Sequence, residues 1–218
     1  MKSVEHEIRL GYKASASSKS LIIMCGWPGS GKSTIARRLA NGLEHSTIIK
    51  RDDLRDFISS SGFINPIPDG KIVETDAHLY MCAELLLRGK ENLLQEVNTL
   101  IIDGTFHSFK KRNHASYFAQ EQRCEMMIVH CVCSHETALR RLRKQIADKE
   151  KVFKYPPEEV VEFYENRFDQ LLPEEMETAV IKINTEDDYK PTIIHKPLMP
   201  SSPFVQNVID IFELPILF

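Results

Sequence analysis

The residues with the clearest chemical meaning are Gly26-Trp27-Pro28-Gly29-Ser30-Gly31-Lys32-Ser33, followed by Thr34. Their spacing is that of a phosphate-binding loop, G-x-x-x-x-G-K-[ST]. Gly26, Gly29 and Gly31 admit backbone conformations that a Cβ would block, so successive N–H groups can turn inward around a phosphate. Lys32 places a point charge on the β- and γ-phosphates of a nucleoside triphosphate, and the Ser33 hydroxyl can sit on Mg²⁺. Pro28, Ser30 and Thr34 belong with them as nucleotide-binding positions. A bare glycine-rich turn would not need the lysine or the hydroxyl.

Two carboxylates stand where chemistry could use them. Arg51-Asp52-Asp53-Leu54-Arg55 follows a short apolar segment. Aspartate there can cap a helix. In an open α/β sheet the same place, just past a strand, is the edge where ligands bind. Asp52 is therefore positioned to accept a proton from an attacking hydroxyl, and Arg55 to hold an anionic part of the acceptor. Thr99-Leu100-Ile101-Ile102-Asp103 is a second apolar run that ends in a carboxylate, and Asp103 can bind Mg²⁺ through water or orient the acceptor. Cations gather in two places. Lys110, Lys111 and Arg112 occupy the first turns of an expected helix, where they oppose its dipole. Seven Lys or Arg against two Asp or Glu lie between Leu139 and Lys154. A basic helix, a loop and the helix that Pro156-Pro157 opens have the pattern of a lid that closes on phosphates. Arginines there stabilise charge on a transferring phosphoryl group.

The elements that must hold these residues are legible as well. Apolar runs predict strands at 21–25, 47–50, 99–103, 126–132 and 179–183, and helical spacing predicts helices over 33–41, 72–96, 108–122, 135–149, from 158, and over 204–214. Strands alternating with helices imply an α/β fold, a mainly parallel five-stranded sheet flanked by helices with a basic helical lid at about 139–157. Gly42 is expected to cap the first helix, and residues 62–70 to form a loop that shapes an acceptor pocket. Residues 184–188 should lie near the nucleotide base. The expected organisation is an N-terminal arm (1–19), a kinase-type domain (20–188) and a C-terminal extension with a docked helix (189–218).

The bulk numbers narrow the function classes. With 218 residues, 42% hydrophobic and 27% charged, the chain has the composition of a soluble globular protein. A net charge of −3 argues against a globally basic nucleic-acid coat protein. No apolar run approaches the roughly 20 residues that span a bilayer, and the first residues lack a signal-peptide core, so a cytoplasmic location and no membrane partner are expected. The five cysteines, Cys25, Cys82, Cys124, Cys131 and Cys133, are odd in number and form no CxxC pair, which argues against a disulfide framework or a zinc site, and Cys131 and Cys133, alternating on an expected strand, read as buried reduced thiols.

Taken in order, these motifs resemble the P-loop kinases that include bacteriophage-type polynucleotide 5′-hydroxyl kinase and the related phosphoseryl-tRNA kinases. The resemblance spans about 26–170 and rests on residues 26–34, Arg51 to Arg55, Ile101 to Thr105 with Lys111-Arg112 after it, and the basic segment before Tyr155-Pro156-Pro157. It implies ATP and Mg²⁺ as cofactors, Asp52 as general base for a 5′-hydroxyl, Arg55 as the acceptor-phosphate ligand and Asp103 as an essential strand-end carboxylate. The chain departs from the family pattern at Asp103-Gly104-Thr105-Phe106 and in the lid. Arg141 is the best-aligned lid arginine, with Arg143 and Lys144 behind it. The implied reaction is γ-phosphoryl transfer to a hydroxyl, with the 5′-end of RNA or DNA first among acceptors. A tRNA-borne or small-molecule hydroxyl is the second reading. A nucleotide-gated binding module with little or no turnover is the third. Oligomeric state is left open.

Overall fold

A computed structural model describes residues 19–54, 79–80, 82–83, 97–148, 155–171, 175, 178–186, 191–195 and 202–213. The arm before Lys19, Arg55, the 62–70 segment, most of the expected 72–96 helix, residues 149–154 of the basic segment and residues 187–188 lie outside the described residues.

The chain builds one sheet with helices on both faces. In chain order the elements are β1 (Ser20–Cys25), α1 (Lys32–Gly42), β2 (Ser46–Lys50), β3 (Thr99–Asp103), α2 (Phe109–Glu121), β4 (Glu125–Val132), α3 (His135–Ala147), α4 (Pro157–Glu165), β5 (Ala179–Asn184), β6 (Pro191–His195) and α5 (Pro203–Glu213). The strand order is β2-β3-β1-β4-β5-β6. The first five strands run parallel, as the alternating pattern implies. β6 joins the edge antiparallel to β5. Its first residue is Pro191, which has no N–H to give a ladder, and such a residue is tolerated where a strand begins or at a sheet edge. That proline is why the segment reads as part of an irregular tail in the sequence.

Every residue of β1 is buried, because helices cover both faces of a central parallel strand. Alternate side chains sort to two cores. Ile22, Met24, Ile101, Val129, Cys131 and Ile181 face α1 and α5. Leu21, Ile23, Cys25, Ile102 and Ile128 face Ala115, Phe118 and Ala119 of α2. Fully burying each such Leu or Ile stabilises the fold by about 1.5–3 kcal/mol. α5 belongs to the first of these cores through Val205, Val208, Ile209 and Phe212, so the C-terminal helix docks on α1 rather than trailing free. Gly42 is the last residue of α1, and the capping residue is the extended Leu43. A Cβ on Gly42 would lie 2.7 Å from Ile211 Cγ1. The glycine is thus explained by the close approach of α5, not by a left-handed cap.

Candidate active site

The loop between β1 and α1 has the backbone that its glycines allow. Gly26, Gly29 and Gly31 have φ of 137°, 81° and 84°. A Cβ on Gly26 would stand 2.4 Å from the Cys131 carbonyl oxygen, and one on Gly29 would stand 2.7 Å from that of Ala138. Both positions exclude a side chain by space as well as by φ. Lys32 Nζ donates to the Trp27 carbonyl at 2.7 Å, so its ammonium curls over the loop's own turn. Ser30 is fully buried, and its Oγ has no hydrogen-bond partner among the described residues. An inward, buried hydroxyl in a glycine cradle suits a phosphate oxygen. Ser33 and Thr34 begin α1 with exposed side chains.

α3 and the end of β5 buttress this loop. Arg141 Nη1 donates to the Gly29 carbonyl at 3.2 Å and to Thr185 Oγ1 at 2.8 Å, while Nη2 donates to the Thr185 carbonyl at 2.8 Å. Thr185 is 2% exposed and donates its hydroxyl to the Ser30 carbonyl at 3.0 Å. Thr185 therefore supports the phosphate loop from below, a role that a lone threonine after a strand does not announce. Next to it, Glu186 accepts from Ser134 N at 2.9 Å and Ser134 Oγ at 2.6 Å. These bonds, with the Ser134 hydroxyl first, hold the Glu186 carboxyl down at about 2. The remaining lid cations differ from Arg141. Arg143 pairs with Glu158 of α4 through its Nε at 3.1 Å, and Lys144 sits exposed in the last turn of α3.

The second half of the site is built at the same edge of the sheet by β2 and β3. Their register sets Lys50 beside Asp103. Asp103 is 8% exposed. Residues 51–54 turn into a helix at once, with Leu54 against the core below. Asp53 is exposed and pairs with Lys50 at 3.5 Å, whereas Asp52 is half-buried. The loop after Asp103 is tied to the phosphate loop by Gly26 N donating to the Thr105 carbonyl at 3.1 Å. Phe106 is held in the left-handed region at φ 41°. Its carbonyl accepts from Cys25 Sγ at 3.4 Å and from Arg112 Nη1 at 3.1 Å.

Arg112 is the main departure from the expected basic cluster. It is 1% exposed, and its guanidinium grips Glu175 through Nε at 2.6 Å and Nη2 at 2.9 Å, with a further bond to the Gln170 carbonyl at 3.1 Å. Burial works against its charge, yet the Glu175 hydrogen bonds raise its pKa overall. It is an internal clamp and not part of a solvated patch. The dipole problem is met by Asp169, whose Oδ2 accepts from Phe109 N at 2.8 Å at the start of α2.

The cysteines are free thiols. Burial pushes Cys25 and Cys131 up to about 12, which leaves them inert. Among the described residues, no group of three or more His, Cys, Asp or Glu could hold a metal ion. Ser33 and Asp103 offer one hydroxyl and one carboxylate, hard oxygens of the kind that Mg²⁺ takes alongside several waters and substrate phosphates. No helix among the described residues is long and apolar enough to cross a membrane.

A family model for the AAA domain matches residues 21–171, more than half of the chain, and takes in the phosphate loop, Asp52, Asp103 and Arg141 but not Glu175, Thr185 or Glu186. The chain belongs to the AAA domain family. No curated protein matches it. Solved structures carry the same fold. A candidate kinase from Chloroflexus aurantiacus is 19% identical with a TM-score of 0.60, covering 88% of this chain and 98% of its own. Kti12 of Chaetomium thermophilum, solved with ADP-AlF3, is 16% identical with a TM-score of 0.56, covering 88% and 95%. A chain of the Pnkp1/Rnl/Hen1 RNA repair complex is 19% identical with a TM-score of 0.57, covering 87% of this chain and 52% of its own. At these identities the likeness is one of fold. This AAA domain is thus a P-loop, kinase-like α/β fold.

Proposed function

We propose that this AAA domain is an ATP-dependent phosphotransferase with a hydroxyl acceptor, and that the 5′-hydroxyl end of RNA or DNA is the acceptor its motifs favour. The strand register carries the reading: β1, β2 and β3 run parallel, so the glycine cradle with Lys32 after β1, Asp52 just past β2 and Asp103 at the end of β3 all follow the same edge of one sheet. A nucleotide switch needs the cradle but has no use for a carboxylate base beside it. Lys32 and the loop amides hold the β- and γ-phosphates. Ser33 and Asp103 would hold Mg²⁺, which when bound neutralises phosphate charge. Asp52 takes the hydroxyl proton as general base. Arg141, already seated on Gly29, stabilises the loop and the charge that develops on it. Arg55 keeps its role as an acceptor ligand on the strength of its motif spacing. The presence of a fold neighbour in an RNA repair complex supports a polynucleotide acceptor.

The test is transfer of labelled γ-phosphate from ATP to 5′-hydroxyl RNA and DNA, run beside a tRNA pool and a panel of small hydroxyl metabolites. Lys32→Ala should abolish turnover. Asp52→Asn should retain ATP binding and lose roughly 10²–10⁴-fold in rate, the usual contribution of a general base. Wild-type turnover by Asp52→Asn removes Asp52 from that role. Label confined to tRNA or a metabolite replaces the acceptor and keeps the mechanism. ATP binding without transfer to any acceptor favours a nucleotide-gated binding module.

A further inference from the structure

Thr185 is the first residue past β5, and the sheet holds it there. Asn184 pairs with Val132 of β4, and Thr185 N donates to the Val132 carbonyl at 2.9 Å. The Thr185 side chain is buried under the phosphate loop. We propose that Thr185 is a positioning residue for the nucleotide: its hydroxyl sets the Ser30–Gly31 peptide so that the Gly31 N–H faces the bound phosphates.

Three observations carry the assignment. The first is that a hydroxyl has a single proton to give. Around Thr185 Oγ1 stand the Ser30 carbonyl at 3.0 Å, the Val132 carbonyl at 3.3 Å and Arg141 Nη1 at 2.8 Å. A guanidinium only donates, so the Thr185 proton goes to a carbonyl, and Ser30 is the nearer. Accepting from a charged donor polarises the hydroxyl and strengthens the bond it passes on to Ser30. The second is the Ser30–Gly31 peptide. It is trans, so its C=O and N–H point opposite ways. Drawing the Ser30 oxygen down onto Thr185 turns the Gly31 N–H up, to the side of the loop away from the threonine. The third is Gly31 itself. At φ 84° it has no side chain to bias its own backbone, and a Cβ there would lie 3.2 Å from Thr185 Cβ, Cγ2 and Oγ1. Thr185 thus packs directly on the residue whose amide it orients. Because it is anchored on a strand rather than a mobile loop, the orientation is set before the nucleotide arrives, and such preorganisation lowers the cost of binding.

The assignment rests on the nucleotide-binding half of the phosphotransferase reading and not on the acceptor. It also separates Thr185 from a base contact. A side chain beneath the loop acts on the phosphates, so its effect is the same whether or not a base is attached to them.

The experiment measures Kd by calorimetry on the full chain with Mg²⁺, using a non-hydrolysable ATP analogue and inorganic tripolyphosphate as the two ligands. Thr185→Val removes the hydroxyl at nearly constant volume, and Thr185→Ser keeps it. Thr185→Val should weaken both ligands by the same factor, about five- to tenfold, the cost of leaving a buried carbonyl unpaired, while Thr185→Ser should bind both within about twofold of wild type. A second measurement needs no variant. In the wild-type chain labelled with ¹⁵N-glycine, the Gly31 amide proton should move downfield and saturate as tripolyphosphate is added. Wild-type affinity in Thr185→Val, whatever its melting temperature, overturns the assignment and leaves a structural contact. A loss confined to the ATP analogue, or a wild-type chain that does not bind tripolyphosphate, overturns it as well, and so does a Gly31 amide that tripolyphosphate does not move. The two readings fail separately. The expected loss in Thr185→Val, with no transfer to any acceptor, defeats the phosphotransferase. Transfer by Thr185→Val with a wild-type KM for ATP defeats the positioning role alone.

Discussion

At the scale of single residues, the turn beside Asp103 is held by buried polar side chains. Arg112 is the clearest case. Its guanidinium joins α2, the turn at Phe106, the Gln170 carbonyl and Glu175 in one buried network. Removing one partner of a buried ion pair costs about 3–5 kcal/mol, because the other charge is left without compensation. Arg112→Ala should therefore lower stability by about that amount, read as a fall in the urea midpoint at unchanged slope. Adding Glu175→Gln to Arg112→Ala should recover part of the loss, since no buried charge then remains. Additive losses would show that the two residues act independently. In the sequence, Arg112 is one of three consecutive cations and looks like its neighbours. Only the position of Glu175, 63 residues away, separates it from Lys110 and Lys111.

At the scale of elements, the packing of helices explains residues that local rules assign elsewhere. Gly42 stands where a helix cap is expected, yet its space is taken by Ile211 of α5. Gly→Ala within a helix gains about 1 kcal/mol in propensity, whereas overpacking typically costs 1–3 kcal/mol. The second effect should win at a 2.7 Å approach. Gly42→Ala is expected to destabilise the protein by up to about 2 kcal/mol in chemical denaturation. In the Ile211→Ala background the same change should be neutral or stabilising, a coupling that a double-mutant cycle would detect. If Gly42→Ala stabilises the wild-type chain, α5 does not press on α1 in the way described. α3 shows the same lesson. Its periodicity and charge fit a basic lid, and Ala138 and Arg141 pack it directly on the phosphate loop.

At the scale of the whole molecule, two histidines couple stability to pH. His130 stacks on Phe168 at 5.2 Å, and His107 meets Tyr164 edge-on at 5.1 Å. Burial first, and then neighbouring cations, lower both to about 4. In the unfolded chain they titrate near 6.5. Between those values the unfolded state binds protons that the folded state does not, so stability rises with pH. It is complete above about 6.5 and is lost as pH falls toward 4. For the more buried His130 the gap corresponds to roughly 3 kcal/mol at most. The melting temperature should drop between pH 7 and pH 4.5, and His130→Gln should flatten that drop while lowering stability at pH 7 through lost stacking. An unchanged slope in His130→Gln would mean that the ring protonates freely in the folded state. Glu186 acts in a different window, because its carboxyl is held at about 2 and its bonds to Ser134 weaken only at lower pH.

The sequence alone determined the phosphate-loop motif, the five parallel strands and the helical spacing of the α5 segment. Each follows from short-range rules: glycine conformations, apolar runs of strand length and helical spacing. The placement of Gly26 to Thr34 between β1 and α1, and of Asp103 at the end of β3, follows from their order, because strand and helix flank the first and the strand ends at the second. Tertiary structure decided the rest. It paired Pro191–His195 with β5, turned Arg112 inward and set Thr185 beneath Ser30. The partners in each case come from separate strands, helices and turns of the chain. Residue type and local spacing describe what a side chain can do, but they do not say which distant carboxylate, carbonyl or helix the folded sheet will bring against it.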